Sequence, residues 1–533
     1  TNPNFTIDGG VITHAKSMSG RGVLVSDGAS FTMYGGAIVG NIVETAGAGV
    51  SVAASASFSM YGGEISGNKV SDSGSINYGG GVRVSDPYST FTMLGGIITN
   101  NEATNGGGGG VYIGGGRFEM SGSAVITRNK TASSLGGGGV FMNGSDTVYA
   151  LNEFIMSGNA VISENTATNG NGGGVYMNSA PEVTMNGGSI TGNTAANNGG
   201  GVYAFSGTFT MNDGTIAGNK ATAKNGGGVY ANGSTAFTVK GGTIGGSTAA
   251  DANAAKYGGG VYVKNGTFTM SGGKVTGNSA SKDGGGVRLD KGTFNMSGSA
   301  VISRNTADGY GGGVDANDGS FTMSGGSITG NTTTNESPDW SGGGGVFVFD
   351  GGSFTMSGGS ITGNNAIRGG GVELTGSGTM TVSGSVQITN NWQKGTLNSA
   401  SGVYEKGSSG KPENLYLYSG KTVAIGTDGL NAGAHIGVST EDWPDPGSPV
   451  KIATNATNEE SHYTAIFTPD AEEADYKITK ENDTVYLSAH EHTWRYALKS
   501  GTKDTISATC EECSWNAGAH RLRRRQVPRG AGG

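Results

Sequence analysis

Two pairs of residues near the C-terminus have the types and spacing of metal ligands. His490-x-His492 and Cys510-x-x-Cys513 together form a His2Cys2 set suited to zinc. The same Cys pair could close a disulfide in a secreted chain or remain as thiols, and the sequence leaves all three readings open. A second candidate is Arg288 with Asp315, one repeat apart, with Asp290 and Asn317 beside them. Ionisable groups gathered on one face suit acid–base chemistry or calcium binding, whereas a surface ion pair on a β-ladder needs no ligand at all. A third candidate is a file of aromatic residues at one position of the repeat: Tyr112, Phe141, Tyr176, Tyr203, Tyr230 and Tyr262. Facing outward, these rings could stack on sugars, or merely pair with one another along a ladder.

Other chemistries fit poorly. The net charge of −8 offers no basic face for nucleic acid. Gly triplets recur throughout and precede strands rather than helices, so they are not phosphate loops. No Ser-His-Asp or Cys-His arrangement is readable, with His scarce in the repeats. No apolar run of membrane-spanning length occurs. The two Cys both lie near the C-terminus, so no disulfide framework holds the rest.

What must position these candidates is a repeat. The string FTMSGGSITGN at 321–331 returns with small changes from Phe31, Phe268 and Phe354. The unit spans roughly 26–33 residues. Four apolar columns run through it: Val after a Gly triplet (Val82 to Val372), Phe (Phe31 to Phe354), Met two residues on (Met33 to Met356), and Ile or Val (Ile38 to Ile361). Alternation in F-T-M, G-V-Y-V and S-I-T gives three short strands per unit, each with one apolar side. Gly pairs and Asn turns separate them.

Three strands per unit predict an all-β fold: a right-handed single-stranded parallel β-helix, or solenoid, of about fourteen coils. Identical residues should then stack on one another from coil to coil. An Asn column follows the third strand, from Asn41 to Asn364, and its amides can hydrogen-bond along the stack. Ser247 interrupts that column, so one coil is expected to be looser there. The coils lengthen before the Gly triplet, as in the loop from Ala250 to the triplet at Gly258, which predicts one side lined with insertions.

The expected organisation is β-helix over 1–403, terminal coils and cap over 404–441, and short antiparallel strands over 442–489. A small β-module with HxH and CxxC follows at 490–515, then a disordered basic tail at 516–533. The opening TNPNFTIDGG already reads as part of a repeat, as expected of a fragment lacking its true N-terminus.

Gly35-Gly36-Ala37-Ile38, with near matches at Gly62-Gly63-Glu64-Ile65 and Gly325-Gly326-Ser327-Ile328, resembles the G-G-A-[ILV] motif of the polymorphic outer membrane proteins. Their F-x-x-N motif appears with Ile for Phe, as in Ile190-Thr-Gly-Asn193. The resemblance covers roughly residues 5–403 and extends to adhesin-like bacterial β-helix surface proteins. Residues 490–513 resemble a small repeat of large surface proteins in Gram-positive gut bacteria. The resemblances imply a secreted or surface-attached bacterial protein. The expected function is a non-enzymatic, adhesin-like or structural rod, monomeric, with a glycan or a host or neighbour-cell surface protein as partner. The alternative is a carbohydrate-active β-helix, a polysaccharide lyase or glycoside hydrolase.

Overall fold

The computed structural model describes residues 3–17, 21–44, 47–71, 78–144, 152–337, 339, 342–445, 447–470, 476–489, 494–498, 505–510 and 516–521, the last three stretches by backbone alone. About half the chain is strand, and the strands form a parallel β-solenoid of about 16 turns. At about 4.8 Å per turn the stack is about 75 Å long.

Three long ladders run along it. The Phe/Met ladder begins at Asn4–Ile7 and ends at Val450–Thr454. Phe268 lies beside Phe294, and Met270 beside Met296. Stacked Phe rings sit 4.6–4.9 Å apart from Phe237 to Phe354. The Val ladder carries Val261 over Val287, and the Ile ladder Ile302 over Ile328. All these side chains point inward and are buried, giving one continuous apolar core. A fourth ladder, made of two-residue strands such as Thr166–Ala167 and Thr194–Ala195, was not expected. It follows the buried Asn, with a small residue inward at most turns.

The Asn column is a hydrogen-bonded ladder. In nearly every rung the main-chain N–H and the Nδ2 of one Asn both donate to Oδ1 of the next; from Asn253 to Asn278 only Nδ2 does. Asn278 does so to Asn305 at 2.9 Å in both cases. Nδ2 also donates to a carbonyl one turn back, as Asn305 does to Val275. At most rungs the residue before the Asn is left-handed, often Gly, though Asn100, Arg128, Glu164, Arg304 and Asn390 adopt the same turn. The third Gly of each triplet packs flush against the ladder. A Cβ on Gly260 would lie 2.7 Å from the Gly286 carbonyl and 2.9 Å from Asn278 Nδ2.

The expected break at Ser247 is absent. The chain loops out over 246–252, and Asn253 takes the ladder position, accepting from Asn219 and donating to Asn278. The loop is closed by Thr248, whose Oγ1 donates to Asp251 at 2.7 Å. This insertion therefore precedes the Asn, not the Gly triplet.

The solenoid also outlasts its motif. Asn391 and Asn414 continue the ladder. The segment 442–489, expected to be antiparallel, is mixed. Val450–Thr454 and Phe467–Pro469 still stack in parallel on the preceding turn, because alternation of buried residues survives where Phe and Met do not. A helix, Glu460–Ile466, bridges them. The hairpin of Tyr476–Glu481 and Thr484–Ala489 then pairs antiparallel with Val450–Thr454, which covers the last strand edge.

Beyond it, Trp494–Leu498, Thr505–Cys510 and Asn516–Arg521 form a three-stranded antiparallel sheet. The module thus runs past residue 515 into the expected tail. Ala and Gly carry little strand propensity, and pairing with a neighbour supplies the order.

Replacing Asn305 by Ala would remove the acceptor of the buried N–H groups of Asn278 and the donor to Val275 O, while Asn331 Oδ1 would keep only the main-chain N–H of residue 305. Each buried orphan costs about 1–3 kcal/mol, so Asn305→Ala should lower unfolding stability by roughly 3 kcal/mol or more. Chemical denaturation against Asn212→Ala, an exposed amide expected to change stability by less than about 0.5 kcal/mol, checks this. Equal effects would refute the ladder's contribution.

Candidate functional site

The first Gly of each triplet is left-handed, as Gly258 is at φ 62°. That turn folds the preceding loop back over the outer side of the Val strand. The outward file of aromatics is therefore covered. Tyr112, Tyr176, Tyr203, Tyr230 and Tyr262 are only 5–7% exposed and pack with Phe141, Tyr78, Leu135 and Tyr257 in a second apolar cluster. Tyr230 and Tyr262 stack at 5.1 Å and 3°. Burial raises the Tyr176, Tyr230 and Tyr262 hydroxyls well above the usual phenol range. This corrects the expectation of an open aromatic face: outward from the sheet is not outward to solvent, and these ring faces are taken by each other.

The file changes character from Arg288 onward. In register it reads Tyr262, Arg288, Asp315, Phe347, Glu373 and Tyr416. Three of these positions, Arg288, Phe347 and Glu373, are covered by a residue just before a Gly triplet. Asp283 Oδ2 accepts from Arg288 Nη1 at 2.9 Å, and Arg288 lies over the Tyr257 ring. The Arg288 guanidinium also donates to Asp315, bringing the expected pair together. Tyr310 stacks on Phe347 at 4.3 Å. Arg368 pairs with Glu373 at 3.4 Å and lies over Tyr416 and Tyr418. Asp290 accepts from Tyr262 Oη at 2.9 Å instead of joining the cluster.

Asp315 is not a surface ion. It is 0% exposed, and one of its oxygens has no hydrogen-bond partner. Loss of water lifts its carboxyl to about 7, against the opposing pull of Arg288. Glu373 behaves alike: burial lifts it to about 7 while Arg368 opposes, and neither oxygen has a hydrogen-bond partner. Glu413, one turn further, is lifted to about 8 by desolvation, with Ser439 Oγ donating to it at 2.6 Å. Asp470 ends the Asn ladder, accepting from Asn414 N–H and Nδ2 at 2.7 and 2.6 Å; burial places it at about 6.

Sequence reading found Arg288, Asp315 and the position of Glu373, but missed Asp283, Arg368 and Glu413. For Asp283 and Arg368 the signal lay in the residue before each triplet, which forms a column of its own once aligned on the Gly; Glu413 follows the last triplet and carries no such signal.

The zinc candidates His490, His492 and Cys513 lie outside the described residues, and Cys510 is described only as backbone paired with Trp494. Among the described residues no group of three or more His, Cys, Asp or Glu is placed to hold a metal, and no helix is long and apolar enough to cross a membrane. No family model, curated protein or solved structure matches the chain.

Four raised carboxyls have one consequence for pH. The folded chain holds these protons more tightly than the unfolded chain, whose carboxyls titrate near about 4. Stability should therefore be greatest below that value and fall as pH rises through about 6 to 8. Thermal unfolding followed by circular dichroism should give a lower Tm at pH 8 than at pH 5. Glu373→Gln with Glu413→Gln should flatten the difference. A Tm that rises over this interval would contradict the burial of these groups as acids.

Proposed function

We propose that this chain is a β-helical rod of a bacterial surface protein, acting outside the cell as an adhesin-like binding or spacing element rather than as an enzyme. The observation that carries this reading is the register of the Phe and Asn columns, kept from turn to turn even where Val183 replaces Phe. Most recurring residue choices within the repeat serve propagation of the stack, which suits a structure that holds a surface at a distance. The resemblance of its repeats to polymorphic outer membrane proteins, and of its C-terminal module to Gram-positive gut surface proteins, supports a secreted or surface-attached location. A glycan or a protein of a host or neighbouring cell is the partner class.

One observation favours a second reading, a polysaccharide lyase or glycoside hydrolase. Asp315 and Glu373 share one file two turns apart, with Glu413 in the next turn, and their carboxyls lie near neutrality, where a proton can be given or taken.

The two readings separate experimentally. The full chain should adhere to whole cells or to a glycan array and should release no reducing or unsaturated ends from pectin, alginate or host glycans, with or without calcium. Blank adhesion on both surfaces would overturn the adhesin reading. Sugar release abolished by Asp315→Asn would establish the enzyme instead.

A further inference from the structure

A cavity of about 470 Å³ opens on the outer face of the Val ladder near the C-terminal turns, lined by Arg288, Tyr310, Phe349, Arg368, Glu373 and Tyr418 among others. That volume falls within the roughly 300–1,000 Å³ of small-molecule sites. Glu373 is the feature that needs explaining. Its side chain is 1% exposed, lines the cavity, and has no hydrogen-bond partner at either oxygen. Buried polar atoms are nearly always satisfied, and a carboxylate left without donors is costly. Its neighbour Arg368 stands at 3.4 Å, outside good hydrogen-bond geometry, and its Nε is also without a partner.

The space for this carboxylate is built in. Gly342 occupies the position before the triplet where other turns carry Tyr310, Asp283 or Arg368. A Cβ there would lie 1.5 Å from Glu373 Oε2. The missing side chain leaves room for Glu373, and nothing within the described residues then donates to it.

The lining selects among ligand classes. A bare cation is opposed by Arg288, Arg368 and Lys421, which share the cavity with Glu373 and Asp283. An anion is opposed by the carboxylates, and both arginines already face acidic partners. A neutral group with many hydroxyls satisfies both charges at once, donating to Glu373 and accepting from Arg368. Phe349 and Tyr418, 36% and 37% exposed, offer apolar surface for C–H faces. That combination of hydroxyl and C–H faces belongs to a sugar ring.

We infer that this cavity is a saccharide-binding site, in which Glu373 and Arg368 hydrogen-bond ring hydroxyls while Phe349 and Tyr418 pack on the ring. The inference rests on the adhesin reading and names where along the rod a glycan is held. It also moves sugar recognition away from the covered aromatics at Tyr112 to Tyr262.

The full chain would be titrated with tetrasaccharides of glucose, N-acetylglucosamine, mannose and galactose, with binding followed by saturation-transfer NMR. At least one should bind. Glu373→Gln, which keeps the side chain's size, and Tyr418→Ala, at an exposed position, should each weaken it about tenfold or more. Tyr34→Ala, in the exposed Tyr34–Tyr61 stack at the other end, should leave binding unchanged. Thermal unfolding of each variant verifies that it is folded. Absence of binding by all four probes, or binding indifferent to both cavity substitutions, would overturn the site. Cell adhesion separates this failure from that of the wider reading. Adhesion intact in Glu373→Gln would reject the cavity and keep the adhesin; saccharide binding by a chain that does not adhere would do the reverse.

Discussion

In a parallel stack every inward residue meets its own counterpart one turn above and one below. A side chain at such a position must therefore be complementary to itself. Phe and Ile satisfy this by packing. Among polar residues, Asn satisfies it because one end of the amide accepts and the other donates. Oδ1 takes two hydrogen bonds from the turn before, and Nδ2 gives one onward and one back to a carbonyl. The ladder stays buried from Asn41 to Asn391 and satisfied along its length. It ends where that logic allows, at Asp470, which can accept from Asn414 and has no further turn to donate to.

The same constraint shapes the outer file. Identical charges one turn apart would repel. So Arg288 is followed by Asp315, and the next acid, Glu373, comes only after Phe347. Where the file is aromatic, the covering loops seal it. Where it is charged, the covering residues become Asp283, Tyr310 and Arg368, and a cavity remains. The buried ionisable groups of this face thus sit where the columns stop repeating.

The columns were legible in the sequence because stacking writes residue identity at a fixed period. Val, Phe, Met, Ile and Asn could all be read without coordinates, and so could three strands per turn. Asn253 could not, since a loop displaces it from its expected place after Ile244. The fourth ladder escaped because two-residue strands such as Thr194–Ala195 carry no alternation. Coils over 404–441 were expected, but the parallel strands Val450–Thr454 and Phe467–Pro469 beyond them escaped because they keep the burial pattern without the motif. Of the site, the Arg288–Asp315 pair was visible as adjacent columns. The burial of the Tyr file was not, because alternation gives the face of a sheet a residue occupies and says nothing about what folds over that face.

The stacking itself can be measured with a molecular ruler. Thr92, Thr210 and Thr355 share one outward column, with nine turns between the first and last and five between the second and last. Spin labels on Cys placed at these positions, with Cys510 and Cys513 changed to Ser, should be separated by about 43 Å for Thr92 with Thr355 and about 24 Å for Thr210 with Thr355, from about 4.8 Å per turn. Distances in that ratio would verify the register along the rod. Two similar distances, or a Thr92–Thr355 separation well below about 30 Å, would contradict it.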